Sequence, residues 1–151
     1  TASASSDLTI KLWTVETMKC FKTLSGHDHV VQGVQFLPSG TSLVSCSRDK
    51  TVKMWDISSG YCIKTFTGHD KGVSSVRVSP DASLLATSSH DETVRIWNIK
   101  TGECIRTIQA HDHVVESVEF SNSITAEKYL NEVSRYKRKK PVTLPRVLPV
   151  R

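Results

Sequence analysis

One interval governs this sequence: forty-two residues. Trp13, Trp55 and Trp97 stand 42 apart, and the same step carries Asp7 to Asp49 and Asp91, and Thr9 to Thr51 and Thr93. It also carries Cys20 to Cys62 and Cys104, His27 to His69 and His111, and Val34 to Val76 and Val118. Registers that share one period without an insertion mean a repeated supersecondary unit, and such units must stack because none can bury its apolar face alone. Within each period the apolar residues alternate in twos, as in Thr93-Val94-Arg95-Ile96-Trp97, which is the period of a strand. Turn formers (Pro38-Ser39-Gly40, Ser59-Gly60, Pro80-Asp81, Thr101-Gly102) stand where such strands must end. The spacing predicts strands near 30–36, 42–46, 51–55 and 61–66, and again near 72–78, 84–88, 93–97 and 103–108. The fold class is therefore all-β.

Four strands per period, opened by Gly-His and closed by Trp-Asp, resemble the WD repeat of β-propellers. Gly26-His27 with Trp55-Asp56, and Gly68-His69 with Trp97-Asn98, carry the resemblance. Thr14 and Asn98 replace the Asp after Trp, and Ala110 replaces the Gly before His111. The resemblance implies a partial, open β-propeller of four-stranded antiparallel blades. Its boundaries would be a partial blade at 1–24, blades at 25–66 and 67–108, the first strand of a further blade at 109–120, and a basic tail at 121–151.

More closely, Ser3 through Trp13, Ser47-Arg48-Asp49-Lys50-Thr51, Gly60-Tyr61-Cys62 and His111 through Glu116 resemble the lissencephaly, or nuclear distribution, family over residues 1–120. That resemblance implies a non-catalytic scaffold for protein–protein interaction. Its partners would be the dynein motor domain and microtubule-associated adaptors in nuclear migration, in the cytoplasm at the cytoskeleton and centrosome. Other WD-repeat adaptors, such as a ubiquitin-ligase substrate receptor or a G-protein-β-like scaffold, share the same blade vocabulary.

By the same resemblance an internal hydrogen-bond network joins His27, Ser45, Asp49 and Trp55 in one blade and His69, Thr87, Asp91 and Trp97 in the next. Ser3, Asp7 and Trp13 remain of it in the first. A Trp N–H and a His ring buried between strands need partners, and an Asp can accept from both a ring and turn N–H groups. A set repeated in every blade is structural, since a catalytic site would occur once. The pairs His27/His29 and His111/His113 each supply two nitrogens with no convergent third ligand. The cysteines, too few for a disulfide framework, read as small packing residues in a reducing compartment. No phosphate loop or nucleophile elbow occurs. The chain is thus expected to be no enzyme, to hold no cofactor or metal, and to take no small-molecule substrate.

Positions expected on the face that propellers present to partners are, by resemblance, Ser6, Arg48 and His90 before the turn Asp. Flanking the first-strand Val are Val30 and Gln32, Gly72 and Ser74, and Val114 and Glu116. Arg48 is the foremost candidate, a long charged donor suited to carboxylates. Gly72 and Ser74 stand where a large aromatic and an Arg would be typical, a departure that weakens the motor contact expected of this face.

The net charge of +5 is not a global property. Residues 128–151 hold eight basic residues against Glu132 alone, leaving twelve basic and fourteen acidic residues in 1–127. Nucleic-acid binding or nuclear import would rest on that tail alone; a block of like charge is more often a disordered, solvated segment, and a translated non-native sequence is the other reading. A fourth unit would place its Trp near 139, where Lys139 stands. No run of 18 apolar residues is present for a membrane helix, and no charged-then-apolar leader precedes the repeats. The sequence opens within a repeat, as a fragment would, so uncapped end blades and marginal stability are expected.

Overall fold

The computed structural model describes residues 1–121, all of it strand, turn or irregular chain. Three antiparallel sheets follow one another. The first is β1 (Ala2–Ala4), β2 (Thr9–Thr14) and β3 (Lys19–Ser25), in that order. The second runs β4 (Val31–Phe36), β5 (Ser42–Ser47), β6 (Val52–Asp56) and β7 (Cys62–Phe66). The third repeats it as β8 (Val73–Val78), β9 (Leu84–Ser89), β10 (Thr93–Asn98) and β11 (Cys104–Gln109). The eight strands expected of the two full units are all present, each within about a residue of its predicted end, as is usual for strand boundaries. The sheets are the blades of an open, partial propeller. β1 packs against β4, and β4 and β5 against β8, so the blades converge along their first two strands and fan outward.

Position within a blade decides burial. The second strands β5 and β9 are buried along their whole length, with sheet neighbours on both sides and another blade against them. The outermost strands β3, β7 and β11 are largely exposed, and that corrects the reading of the cysteines. Cys20, Cys62 and Cys104 sit on those outer strands and are exposed; Cys46, on β5, is buried. The alternation around Cys20, Cys62 and Cys104 gave their period but not which strand lies at the rim.

The core is laid down between blades. Ile10, Leu12 and Leu24 of the first blade meet Val31, Leu43 and Trp55 of the second. Val44, Val52 and Phe66 of the second meet Val73, Leu85 and Trp97 of the third. Each Trp also marks a kink: the third-to-fourth strand register shifts at Leu12/Trp13, Met54/Trp55 and Ile96/Trp97. The extra residue lies each time on the outer strand, Phe21, Ile63 or Ile105, where a bulge bends that strand and increases its local twist.

The turns repeat as faithfully. Leu8, Lys50 and Glu92 take φ of 71°, 72° and 71°, left-handed values that non-glycine residues seldom adopt. The preceding Asp compensates: its Oδ1 accepts from the N–H and hydroxyl of Thr9, Thr51 or Thr93 across the turn. After the Trp, Asp56 Oδ1 accepts from Ser59 N–H (2.7 Å) and from the Ser58 and Ser59 hydroxyls. The Ser59 hydroxyl foremost holds its carboxyl down to about 2. Asn98 does the same work through an amide oxygen facing Thr101 N–H at 2.9 Å, so loss of the charge leaves the turn intact.

The first strand expected within 109–120 forms no ladder among the described residues. The segment nonetheless occupies that strand's place. Val115 N–H donates to Ser89 O at 3.1 Å, as Val31 N–H donates to Ser5 O one and the same way two repeats earlier. Val118 and Phe120 pack on Leu84, Ala86 and Ile96, and Arg77 Nε meets Glu119 Oε2 at 2.8 Å. The basic tail expected at 121–151 lies, beyond Ser121, outside the described residues.

Candidate protein-docking face

Two polar assemblies dominate the blades, one sealed and one open. In the sealed one, Asp49 Oδ2 lies 2.6 Å from His27 Nδ1, His27 Nε2 lies 2.7 Å from Ser45 Oγ, and Trp55 Nε1 donates to the same Oγ at 2.8 Å. The third blade reproduces it through Asp91, His69, Thr87 and Trp97 at 2.7, 2.7 and 2.9 Å. In the first blade Trp13 Nε1 donates to Ser3 Oγ at 2.9 Å, and Asp7 caps Thr9. A carboxylate only accepts, so Nδ1 of each His carries the proton. Nε2 then accepts the hydroxyl hydrogen, and the hydroxyl oxygen accepts the indole N–H. Every polar side-chain atom of the His27 and His69 networks is thus satisfied.

This order of Ser, His and Asp mimics a hydrolytic triad, but its chemistry is closed. Ser45 and Thr87 are fully buried, and the oxygen that would attack is held by an indole donor. Burial pushes the Cys46 thiol up to about 12, so this nearby sulfur is no thiolate at neutral pH. Among the described residues no three His, Cys, Asp or Glu side chains converge as a metal site would require. No described helix is long and apolar enough to cross a membrane.

Burial lowers the affinity of His27 and His69 for protons, against the pull of their aspartates. Protonation would also set two donors, the imidazolium and the indole, against one hydroxyl oxygen. Burial works to raise the Asp49 and Asp91 carboxyls, but the Thr51 or Thr93 hydroxyl and the His ring outweigh it and hold both low. The sign of the pH dependence follows. Below about pH 6.5 the unfolded chain binds protons that folded His27 and His69 refuse, so stability falls with pH, by up to about 1.4 kcal/mol per pH unit for each histidine. Below about pH 4 the unfolded aspartates protonate before the folded ones, and the loss steepens. Thermal melts taken between about pH 7.5 and 4 should show this decline, shallower in His69→Gln; a flat profile down to about pH 5 would contradict it.

The open assembly lies at one end of the strands. Arg48 N–H donates to Val30 O at 3.0 Å, and His90 N–H to Gly72 O at 2.9 Å, pairing the candidate positions within each blade. Between blades, the Ser5 and Ser89 carbonyls receive Val31 and Val115 N–H, bringing Ser6 beside Val30 and His90 beside Val114. Gly72 closes the middle: a Cβ there would meet the Arg48 Cα at 3.0 Å, so the missing side chain lets the two blades touch. Ser6, Val30, Arg48, Gly72, His90 and Val114 thus form one continuous strip. Ser6 and Arg48 are exposed, the other four partly so, and Arg48 makes no ion pair among the described residues.

The remaining candidates divide. Gln32 and Glu116 are exposed. Ser74 is turned inward, its hydroxyl 2.9 Å from Ser88 Oγ and donating to Val115 O, so it ties the third blade to the next strand position. No local pattern marks that contact, because the acceptor lies 41 residues on.

Comparison with known proteins agrees with this geometry. The model of the WD domain, G-beta repeat, matches residues 18–56 and 60–98, just over half of the chain. The chain belongs to the WD-repeat family. Among curated proteins this WD-repeat chain is similar to nuclear distribution protein nudF of Aspergillus flavus, 56% identical over 45 residues, which are 29% of this chain and 10% of that protein. It is also similar to nuclear distribution protein PAC1 of Fusarium vanettenii, 60% identical over 40 residues (26% and 9%). With PAC1 of Mycosarcoma maydis it shares 48% over 44 residues (29% and 10%). The matched stretch spans about a tenth of the length of these curated relatives.

Proposed function

We propose that this WD-repeat chain is a non-catalytic scaffold that binds proteins through the strip from Ser6 to Val114, as part of a regulator of cytoplasmic dynein in microtubule-dependent nuclear migration. The observation that carries the reading is the division of its polar groups. The repeated Ser/Thr-His-Asp-Trp sets are sealed and fully satisfied, whereas the residues that differ from blade to blade share one accessible face. Rigid elements that present variable side chains at one end suit recognition rather than turnover. The relatives are named for nuclear distribution, and the resemblance to that family supports the dynein reading and a place in the cytoplasm at the cytoskeleton and centrosome.

Within the strip Arg48 is the anchor: exposed, unpaired among the described residues, and seated on a glycine that fixes its backbone. A guanidinium so placed suits carboxylates on a partner. Surface-immobilised chain is expected to capture dynein motor domain, and Arg48→Ala to weaken capture by about 10- to 100-fold. Lys19→Ala, on the outer rim, should leave it unchanged. Capture that is absent, or indifferent to Arg48, defeats the assignment.

A further inference from the structure

We propose that the outer rim around the second blade is a docking surface for an anionic lipid bilayer. The contact is peripheral, made by side chains of the rim and not by a spanning segment.

Charge leads there first. Residues 1–127 hold twelve basic and fourteen acidic residues. The two outer strands of the first and second blades nonetheless carry five lysines (Lys11, Lys19, Lys22, Lys53 and Lys64) against Asp56 alone. None of the five makes an ion pair among the described residues. Asp56 spends its Oδ1 on Ser58 and Ser59 within its own turn.

The hydrogen bonds of these lysines indicate the kind of partner. Lys22 Nζ crosses to the Ile57 and Ser58 carbonyls of the second blade, and Lys64 Nζ crosses to Ile99 and Lys100 at 2.9 and 2.6 Å. An ammonium held by two carbonyls keeps its charge but has one proton left to aim. It therefore suits a diffuse field, such as the surface potential of an anionic leaflet, better than directed recognition of one carboxylate or phosphate.

Large apolar side chains stand among the charges. Phe21, Tyr61 and Ile63 are 56%, 74% and 53% exposed. One surface joins them: Lys22, next to Phe21, lays its stem against Gly60, where an added Cβ would stand 3.2 Å from Lys22 Cδ, and Tyr61 and Ile63 lie just beyond. Ile63 is the extra residue of the β7 bulge, a device that re-aims side chains at a sheet edge. The second blade is flanked by described blades on both sides, so its exposed rim is not the end of a stack. In the third blade Glu103 and the partly buried Ile105 take the places of Tyr61 and Ile63, and the patch stops there. The blades fan outward, so this edge is convex and has no groove to enclose a peptide, and the branched Ile63 offers no ring on which a base could stack. Apolar tips between lysines seat at a headgroup boundary, the tips entering and the ammonium groups staying with the lipid phosphates.

The full chain carrying Cys20→Ser and Cys104→Ser keeps one exposed thiol, Cys62, beside Ile63, since Cys46 is buried. An environment-sensitive fluorophore on Cys62 should shift to the blue with phosphatidylcholine vesicles containing about one-third phosphatidylserine, and stay unchanged with phosphatidylcholine alone. The basic residues of 128–151 can hold the protein to the same vesicles by charge, so the partition coefficient is compared between variants. Tyr61→Ser/Ile63→Ser alters no charge and should lower it by at least about tenfold. Lys19→Glu should lower it by at least about fivefold. Both variants change exposed positions and should keep the wild-type far-ultraviolet circular dichroism and Tm. A label that remains in water on vesicle-bound protein, or a partition coefficient unmoved by Tyr61→Ser/Ile63→Ser, overturns the proposal. So does a label response to polyglutamate or to a single-stranded oligonucleotide equal to that with the anionic vesicles.

Discussion

Trp97→Ala is expected to lower the free energy of unfolding by roughly 3–5 kcal/mol, an effect matched among the described residues by truncation of its counterpart Trp55. The indole is 2% exposed and fills the seam between the second and third blades against Phe66, Val73 and Ile99. It meets the Phe66 and His69 rings edge-on, each with centroids 6.0 Å apart. Strands on both sides hold the walls of the vacated space, so collapse is limited and the cavity cost persists. Its N–H also satisfies Thr87 Oγ1, which loses a donor with the ring. Against the 5–15 kcal/mol typical of a whole domain, such a loss removes much of the margin. Trp97→Phe separates the two contributions: most of the packing returns, the N–H does not, and a loss of about 1–2 kcal/mol remains. Urea titrations of the three proteins would show the order, and a Trp97→Ala midpoint equal to that of Trp97→Phe would refute it.

Asp49→Ala should cost about 3 kcal/mol, or about 10 °C in Tm. One carboxylate serves four donors: His27 Nδ1, Asp28 N–H, and the N–H and hydroxyl of Thr51. Its removal strands a buried imidazole and withdraws the cap that compensates the left-handed Lys50. Asp49→Asn keeps an acceptor for Thr51 and should recover about half of the loss. Because the network is sealed, the variant should act on stability alone. Partner capture per folded molecule, measured well below the melting temperature, should match wild type. A capture defect in a fully folded Asp49→Ala protein would mean that the network reaches the docking face.

The strand pattern was open to view in the sequence because blade geometry imposes two periods at once: two residues for the pleat and forty-two for the stack. Trp, Asp and His recur because each buried polar atom needs its complement at a fixed offset, and the resemblance to WD repeats implied their grouping. The rim cysteines and Ser74 were not open to view. Cys20 and Cys46 look alike in their local patterns, yet one lies on an outer strand and the other on a second strand walled in on both sides. Gly72 looked like a missing contact residue and is instead the space in which Arg48 sits.

The division has a physical cause. Local alternation, turn chemistry and the repeated hydrogen-bonding residues depend on neighbours a few residues away or one repeat away, and a linear sequence records those offsets. They determined strands, turns and blades. Which faces remain open depends on how the blades pack across their seams, a matter of contacts without a fixed local offset. Only the tertiary structure decided that Arg48 stands free on a shared strip, and that Phe21, Tyr61 and Ile63 remain exposed where Leu24 and Phe66 are sealed.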